Sequence, residues 1–195
     1  MKTFAVMAAA VIGIGSNISL EPASKVWVEG TSSVRGFKCN AADISSAITT
    51  SGSTDIVSLV DDAQVTIPVA KLDCGNGTMN EHMRKALKAK DHPRITFIIA
   101  SYEIAVAGDS VRGTATGELT LGGVTKTIAV TGDVRPAEGS LRITGGYDVR
   151  MTDFGLKPPT LMMGTLKVRD VVKVSFDLLL KDSGPTVALG APTTR

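Results

Sequence analysis

Along most of the chain between residues 25 and 181, apolar and polar side chains alternate with a period of two. This is the pattern of strands that bury one face only. Residues 25–30 set Val26 and Val28 against Trp27, and residues 31–40 form a second strand carrying Val34, Phe37 and Cys39. The Ser-, Thr- and Ala-rich stretch 43–54 reads as a loop or irregular edge. Strands follow at 56–60 and 64–72, the latter with Val65, Ile67 and Val69 in strict alternation. In residues 94–106 the apolar phase switches from Ile95, Phe97 and Ile99 to Tyr102, Ile104 and Val106. A slip of one residue predicts a bulge, the usual device for bending a barrel strand.

Turns punctuate the second half. Gly108-Asp109 precedes a strand over 110–121, and Gly122-Gly123 predicts a tight hairpin. Val124, Ile128, Val130 and Val134 alternate in the next strand, and residues 136–139 turn the chain again. Leu141, Ile143, Tyr147, Val149 and Met151 share one face of its successor. Residues 155–164, with Pro158-Pro159, are expected to be irregular. The final strand, 168–181, places Val172, Val174, Phe176, Leu178 and Leu180 together.

One stretch, residues 72–97, breaks the period. Met79, Met83, Ala86 and Leu87 form a single helical stripe, and Thr78 to Glu81 fits a capping box. Lys85, Lys88 and Lys90 crowd the last turns, where cations favour the helix dipole, and Pro93 forbids continuation. The prediction is a helix of about three turns covering one opening of a barrel. The fold class is therefore all-β with one short helix: about eight alternating strands closing into an antiparallel barrel, which removes exposed sheet edges.

Several stretches resemble the YceI-like family. They are Met79-Asn80-Glu81-His82-Met83-Arg84, then His92-Pro93-Arg94-Ile95-Thr96-Phe97, the run from Gly117 to Lys126 (GELTLGGVTK), and Thr152-Asp153-Phe154-Gly155-Leu156. The matches span most of residues 25–182, in the expected order. The resemblance implies an extended, lipocalin-like eight-stranded barrel that binds a polyisoprenoid or related amphiphilic lipid. One departure matters. Arg150-Met151-Thr152 stands where many family members carry Asn-Arg-Ser, so contacts of that family arginine do not transfer.

The 195 residues carry a net charge of +2 and only 4% aromatics, which gives no support for a nucleic-acid partner. Lys2 followed by the apolar run 4–15 resembles a secretory signal, shorter than the ~20 residues of a membrane span. The expected organisation is a signal peptide over 1–23, cleaved somewhere within 15–23, a barrel domain over 24–182 and a disordered tail over 183–195. A periplasmic or secreted location follows. In such an oxidising compartment Cys39 and Cys74 read as a disulfide, with a zinc site that adds His82 as the alternative.

No catalytic constellation or cofactor motif is evident. His82 and His92 stand ten residues apart, which is not a metal-ligand spacing, and no serine sits in a nucleophile elbow. The basic run Arg84, Lys85, Lys88, Lys90 and Arg94 reads as a solvated helix face, with transient membrane contact as the alternative.

The interior remains. Its small residues and strand glycines favour a hollow bore over a solid core. By strand phase the bore is walled by Phe97, Ile99, Ile128, Val130, Tyr147, Val149, Met151, Phe176 and Leu178. Phe154, in the Asp-Phe-Gly motif, is read either as a ligand contact or as a turn stabiliser. The expected function is sequestering or carrying an isoprenoid or acyl-chain lipid. The rival readings are a solid-core structural or stress-response interaction domain and, without a residue set behind it, an enzyme acting on the bound lipid.

Overall fold

The computed structural model describes residues 18–50, 60–107, 110–161 and 165–182. The expectations for the apolar leader before residue 18, the 108–109 turn, residues 56–59 and the tail after 182 lie outside these residues. The strands are β1 (Ile18–Leu20), β2 (Lys25–Thr31), β3 (Gly36–Ala41), β4 (Ser45–Thr50), β5 (Val60–Pro68) and β6 (Leu72–Asp73). Helix α1 (Gly77–Ala86) follows, and then β7 (Arg94–Ala107), β8 (Ser110–Leu121), β9 (Val124–Ala137) and β10 (Ser140–Arg150). A two-stranded ribbon of β11 (Thr160–Leu161) and β12 (Leu166–Lys167) precedes β13 (Val171–Asp182).

The main sheet has eleven strands, in the order β4-β5-β7-β8-β9-β10-β13-β2-β3-β6, with β1 beside β13. The two ends of this path are parts of the same pair of segments. β3 and β4 are separated only by residues 42–44, and β5 and β6 only by a 3-10 turn, Val69–Lys71. The Ala42 N–H donates to the Lys71 carbonyl (2.8 Å) across that bend. β1 and β2 likewise lie in succession along β13. Counted as staves, the sheet curls into the expected eight-membered antiparallel barrel, three of whose staves are bent.

Strand β7 shows how sequence phase and closure meet. Its register with β8 shifts between Ile99 and Ser101, leaving Ala100 as the extra residue. Ile95, Phe97 and Ile99 on one side of the bulge, and Tyr102, Ile104 and Val106 on the other, all face the interior. At the hairpin Leu121 pairs with Val124, and Gly122 (φ +57°) and Gly123 (φ +85°) take the left-handed conformations a tight turn requires.

Several expectations need correcting. Residues 45–50 form strand β4, although Ser and Thr dominate them; Ser46 and Ile48 face inward and the backbone pairs with β5. Pairing and burial of alternate residues outweigh the low apolar content. The expected second strand is interrupted: residues 32–35 turn, and Val34 is 69% exposed at their tip. Thr78 does not cap α1. Asn76 is the N-cap, its Oδ1 accepting from the Thr78 and Met79 amides (2.9 and 3.2 Å), while Glu81 pairs with Lys85 (2.7 Å). An Asx side chain one step outside the helix outcompetes a hydroxyl already inside it. Lys88 and Lys90 fall beyond the last turn.

The glycines within strands also differ from expectation. Gly145 does not leave space: a Cβ there would meet the Phe176 ring and the Thr131 carbonyl. The ring occupies the room that the missing side chain vacates.

At the α1 end, a 3-10 turn (Met151–Phe154) closes β10. Asp170 fastens it, accepting from the Thr152 amide (2.9 Å) and hydroxyl (2.6 Å), with Arg150 at 3.5 Å. The Thr152 hydroxyl above all, and then its amide and Arg150, hold the Asp170 carboxyl below its ordinary value. A depressed carboxyl contributes stability that is present above its unfolded-state pKa and lost as pH falls through its folded one. Asp170→Asn is therefore expected to lower stability at neutral pH, with the gap to the native protein closing through the acid carboxylate range. Urea unfolding across a pH series measures this.

Candidate functional site

The barrel encloses a cavity of about 1590 Å³ with almost wholly apolar walls. That exceeds the roughly 300–1,000 Å³ usual for small-molecule sites. Residues from Ser140 to Met151 border it along the full length of β10. Eleven strand residues, tilted as barrel strands are, give a bore of roughly 25–30 Å.

Phe97, Ile99, Ile128, Val130, Tyr147, Val149, Met151, Phe176 and Leu178 all border this cavity, as their strand phase requires. Phe154 does not. It is 3% exposed and packs with Leu121, Val149, Met151 and Leu156. Its place follows from a gap in the wall: β9 and β10 pair only from Gly146↔Thr131 to Ser140↔Ala137. Beyond Gly146 the two strands separate, and β10 ends in the turn that brings Phe154 into this buried cluster.

Strand-by-strand reading also missed part of the lining. Ser46 and Ile48 were hidden in the segment read as a loop or irregular edge. Met79, His82, Met83, Ala86 and Leu87 of the α1 stripe and its end also border the cavity. The signal for these was present, since a helix laid over a barrel mouth turns its apolar face into the bore. No residue of α1 is fully buried, because that face meets open space.

Two attachments hold α1 there. Cys39 and Cys74 form a disulfide across 35 residues of sequence, joining β3 to the segment just before the helix. The Asn80 side chain accepts from the Cys74 amide (2.7 Å) and donates to Asp73 (2.9 Å). The Asn80 hydrogen bond chiefly, with a second from the Gly75 amide, lowers the Asp73 carboxyl below its ordinary value. With both sulfurs in the disulfide, the zinc alternative has no thiolate ligands. Among the described residues no group of three His, Cys, Asp or Glu side chains could hold a metal.

The arginine–aspartate pairs stand on the outer wall. Arg112 pairs with Asp133 (3.3 Å), and Arg142 makes two hydrogen bonds to Asp177 (2.7 and 2.5 Å). Lys38 lies 4.5 Å over the Trp27 ring, whose N–H donates to Glu29 (3.1 Å). Such geometry suits non-polar sequestration: a long channel with almost wholly apolar walls, one end of it covered by an amphipathic helix.

The architecture is that of a lipocalin-like β-barrel with an unfilled apolar bore. Within that class the chain belongs to the YceI-like family, whose domain model matches residues 19–180. Three solved structures are similar. BcnA of Burkholderia cenocepacia is 24% identical with a TM-score of 0.68, over 83% of this chain and 99% of its own. A polyisoprenoid binding domain from Saccharophagus degradans, implicated in plant cell wall breakdown, is 16% identical with a TM-score of 0.64, over 87% and 99%. The YceI protein of Campylobacter jejuni is 23% identical with a TM-score of 0.56, over 73% and 83%. No curated protein matches the chain in sequence.

Opening the cross-link tests how much the barrel depends on it. Closure of a loop this long is worth about 3–4 kcal/mol in the chain-entropy model. The double variant Cys39→Ala, Cys74→Ala is expected to lose about that much in equilibrium unfolding, with β6 and α1 losing amide-exchange protection first.

Proposed function

We propose that this protein sequesters or carries an isoprenoid or acyl-chain lipid, with the tail in the barrel bore, after export to the periplasm or beyond the cell. The observation that carries the reading is the 1590 Å³ apolar cavity running the length of β10. The binding activity named for the Saccharophagus degradans domain supports the same ligand class. A solid-core interaction domain has no use for so large a void, because dry apolar walls facing nothing forfeit their dispersion contacts.

Affinity would come mainly from the tail, at about 0.8 kcal/mol per buried methylene. Within a homologous series of straight-chain lipids, each added carbon is therefore expected to tighten binding by about fourfold until the bore is filled. Titration calorimetry with such a series measures this, and solvent extraction of the purified protein followed by mass spectrometry identifies any resident lipid. Absence of both an extractable lipid and a chain-length dependence would remove the carrier reading. Ile128→Trp, which fills the mid-bore, should weaken long chains more than short ones.

Export is supported by the apolar leader and by the disulfide. Ile18–Leu20 form β1 on β13, and the family match begins at residue 19, so we place cleavage before residue 18, after the Gly13–Gly15 region. Intact-mass measurement of protein recovered from the periplasm should show a mature chain starting between residues 16 and 18. A start after residue 20 would remove β1 and contradict this boundary.

A further inference from the structure

The charged side chains that border the bore are divided between its two ends. Arg35, in the turn between β2 and β3, is at the α1 end, whereas Glu103 and Glu138, beside the β7–β8 and β9–β10 hairpins, are at the opposite end. Among the described residues no carboxylate borders the cavity at the α1 end and no Lys or Arg borders it at the other.

Arg35 is held in an unusual way. The Ser32 hydroxyl donates to its carbonyl (2.8 Å) and accepts its amide (3.1 Å), which pins the backbone of the turn. Its guanidinium, by contrast, has no hydrogen bond or ion pair among the described residues. Arg112, Arg142 and Arg150 on the outer wall each pair with an aspartate. Around the same opening stand three further polar residues, Asn76, Thr78 and His82.

From this we infer that the bound amphiphile lies with its polar end at the α1 opening, and that this end is an anion, a carboxylate or a phosphate monoester, held by Arg35. The inference rests on the lipid-carrier reading and adds to it the chemistry and direction of the head group. A guanidinium on a fixed backbone offers two parallel N–H donors to such an oxyanion at little ordering cost. Arg35 is solvent-exposed at the rim, so the attraction acts through water and is screened by salt. Placed the other way round, the anion would meet the carboxylate-bearing end.

The test compares one saturated chain carrying a carboxylate, a phosphate monoester or a primary alcohol, by competition against a fluorescent lipid at low salt. Native protein should bind the two anions about tenfold tighter than the alcohol, as a charge-assisted hydrogen bond implies. In Arg35→Gln the ratio should collapse to near one, Arg35→Lys should retain most of it, and added salt should shrink it in native protein. Arg112→Gln, which removes an equal charge from the outer wall, should keep the native ratio. Equal binding of all three compounds by native protein, or a ratio that survives Arg35→Gln in a variant with native circular dichroism, overturns the inference while leaving the carrier reading intact. If native protein binds none of the three, the carrier reading falls and this inference with it.

Discussion

Ala100 is the single extra residue on which the interior depends. On its partner strand β8 the phase does not change: Val111, Gly113, Ala115, Leu119 and Leu121, all odd-numbered, border the cavity, with Thr114 beside them. On β7 the apolar inward set is odd before Ala100 and even after it, although Glu103, towards the far mouth, also borders the cavity. Had the register continued without the bulge, Ser101 and Glu103 would have pointed their side chains into the bore and Tyr102, Ile104 and Val106 into solvent. One unpaired residue therefore bends the β7–β8 hairpin and keeps both halves of β7 greasy on the same side.

That constraint was legible because it leaves a trace in periodicity, and most of the staves could be read for the same reason. Where the reading failed, the deciding forces were not in the pattern. Residues 45–50 carry few apolar side chains, and what makes them a strand is a ladder to β5 that only the closed sheet supplies. Asn76 rather than Thr78 caps the helix, a choice between two good capping residues that turns on which of them stands just outside the first turn. Phe154 reads as a candidate for the bore from its motif. It lies behind the wall, buried against Leu121, Val149, Met151 and Leu156, because β9 and β10 part company beyond Gly146, an event no single strand announces.

The strand glycines teach a related lesson. Composition suggests that they hollow out the wall, yet at Gly145 the vacated space is filled by the ring of Phe176, two strands' backbones drawing close around it. The hollow arises instead from strand number and tilt, with medium-sized Val and Ile side chains too short to meet across the bore. On the outer face polar groups satisfy one another, in cross-strand Thr pairs such as Thr120 with Thr125 (2.8 Å) and in arginine–aspartate pairs.

Helix α1 has an apolar stripe and no fully buried residue. In a completed globular protein, an amphipathic helix is stabilised chiefly by what its greasy side rests upon. Here that support is missing from the polypeptide itself, and whatever fills the barrel would finish the hydrophobic core on the chain's behalf. Cargo would then be a component of folding free energy, since anything that binds only the native form raises its stability by mass action. Empty molecules would be the ones that fray at this corner and meet proteases first, so turnover itself would distinguish laden copies from vacant ones.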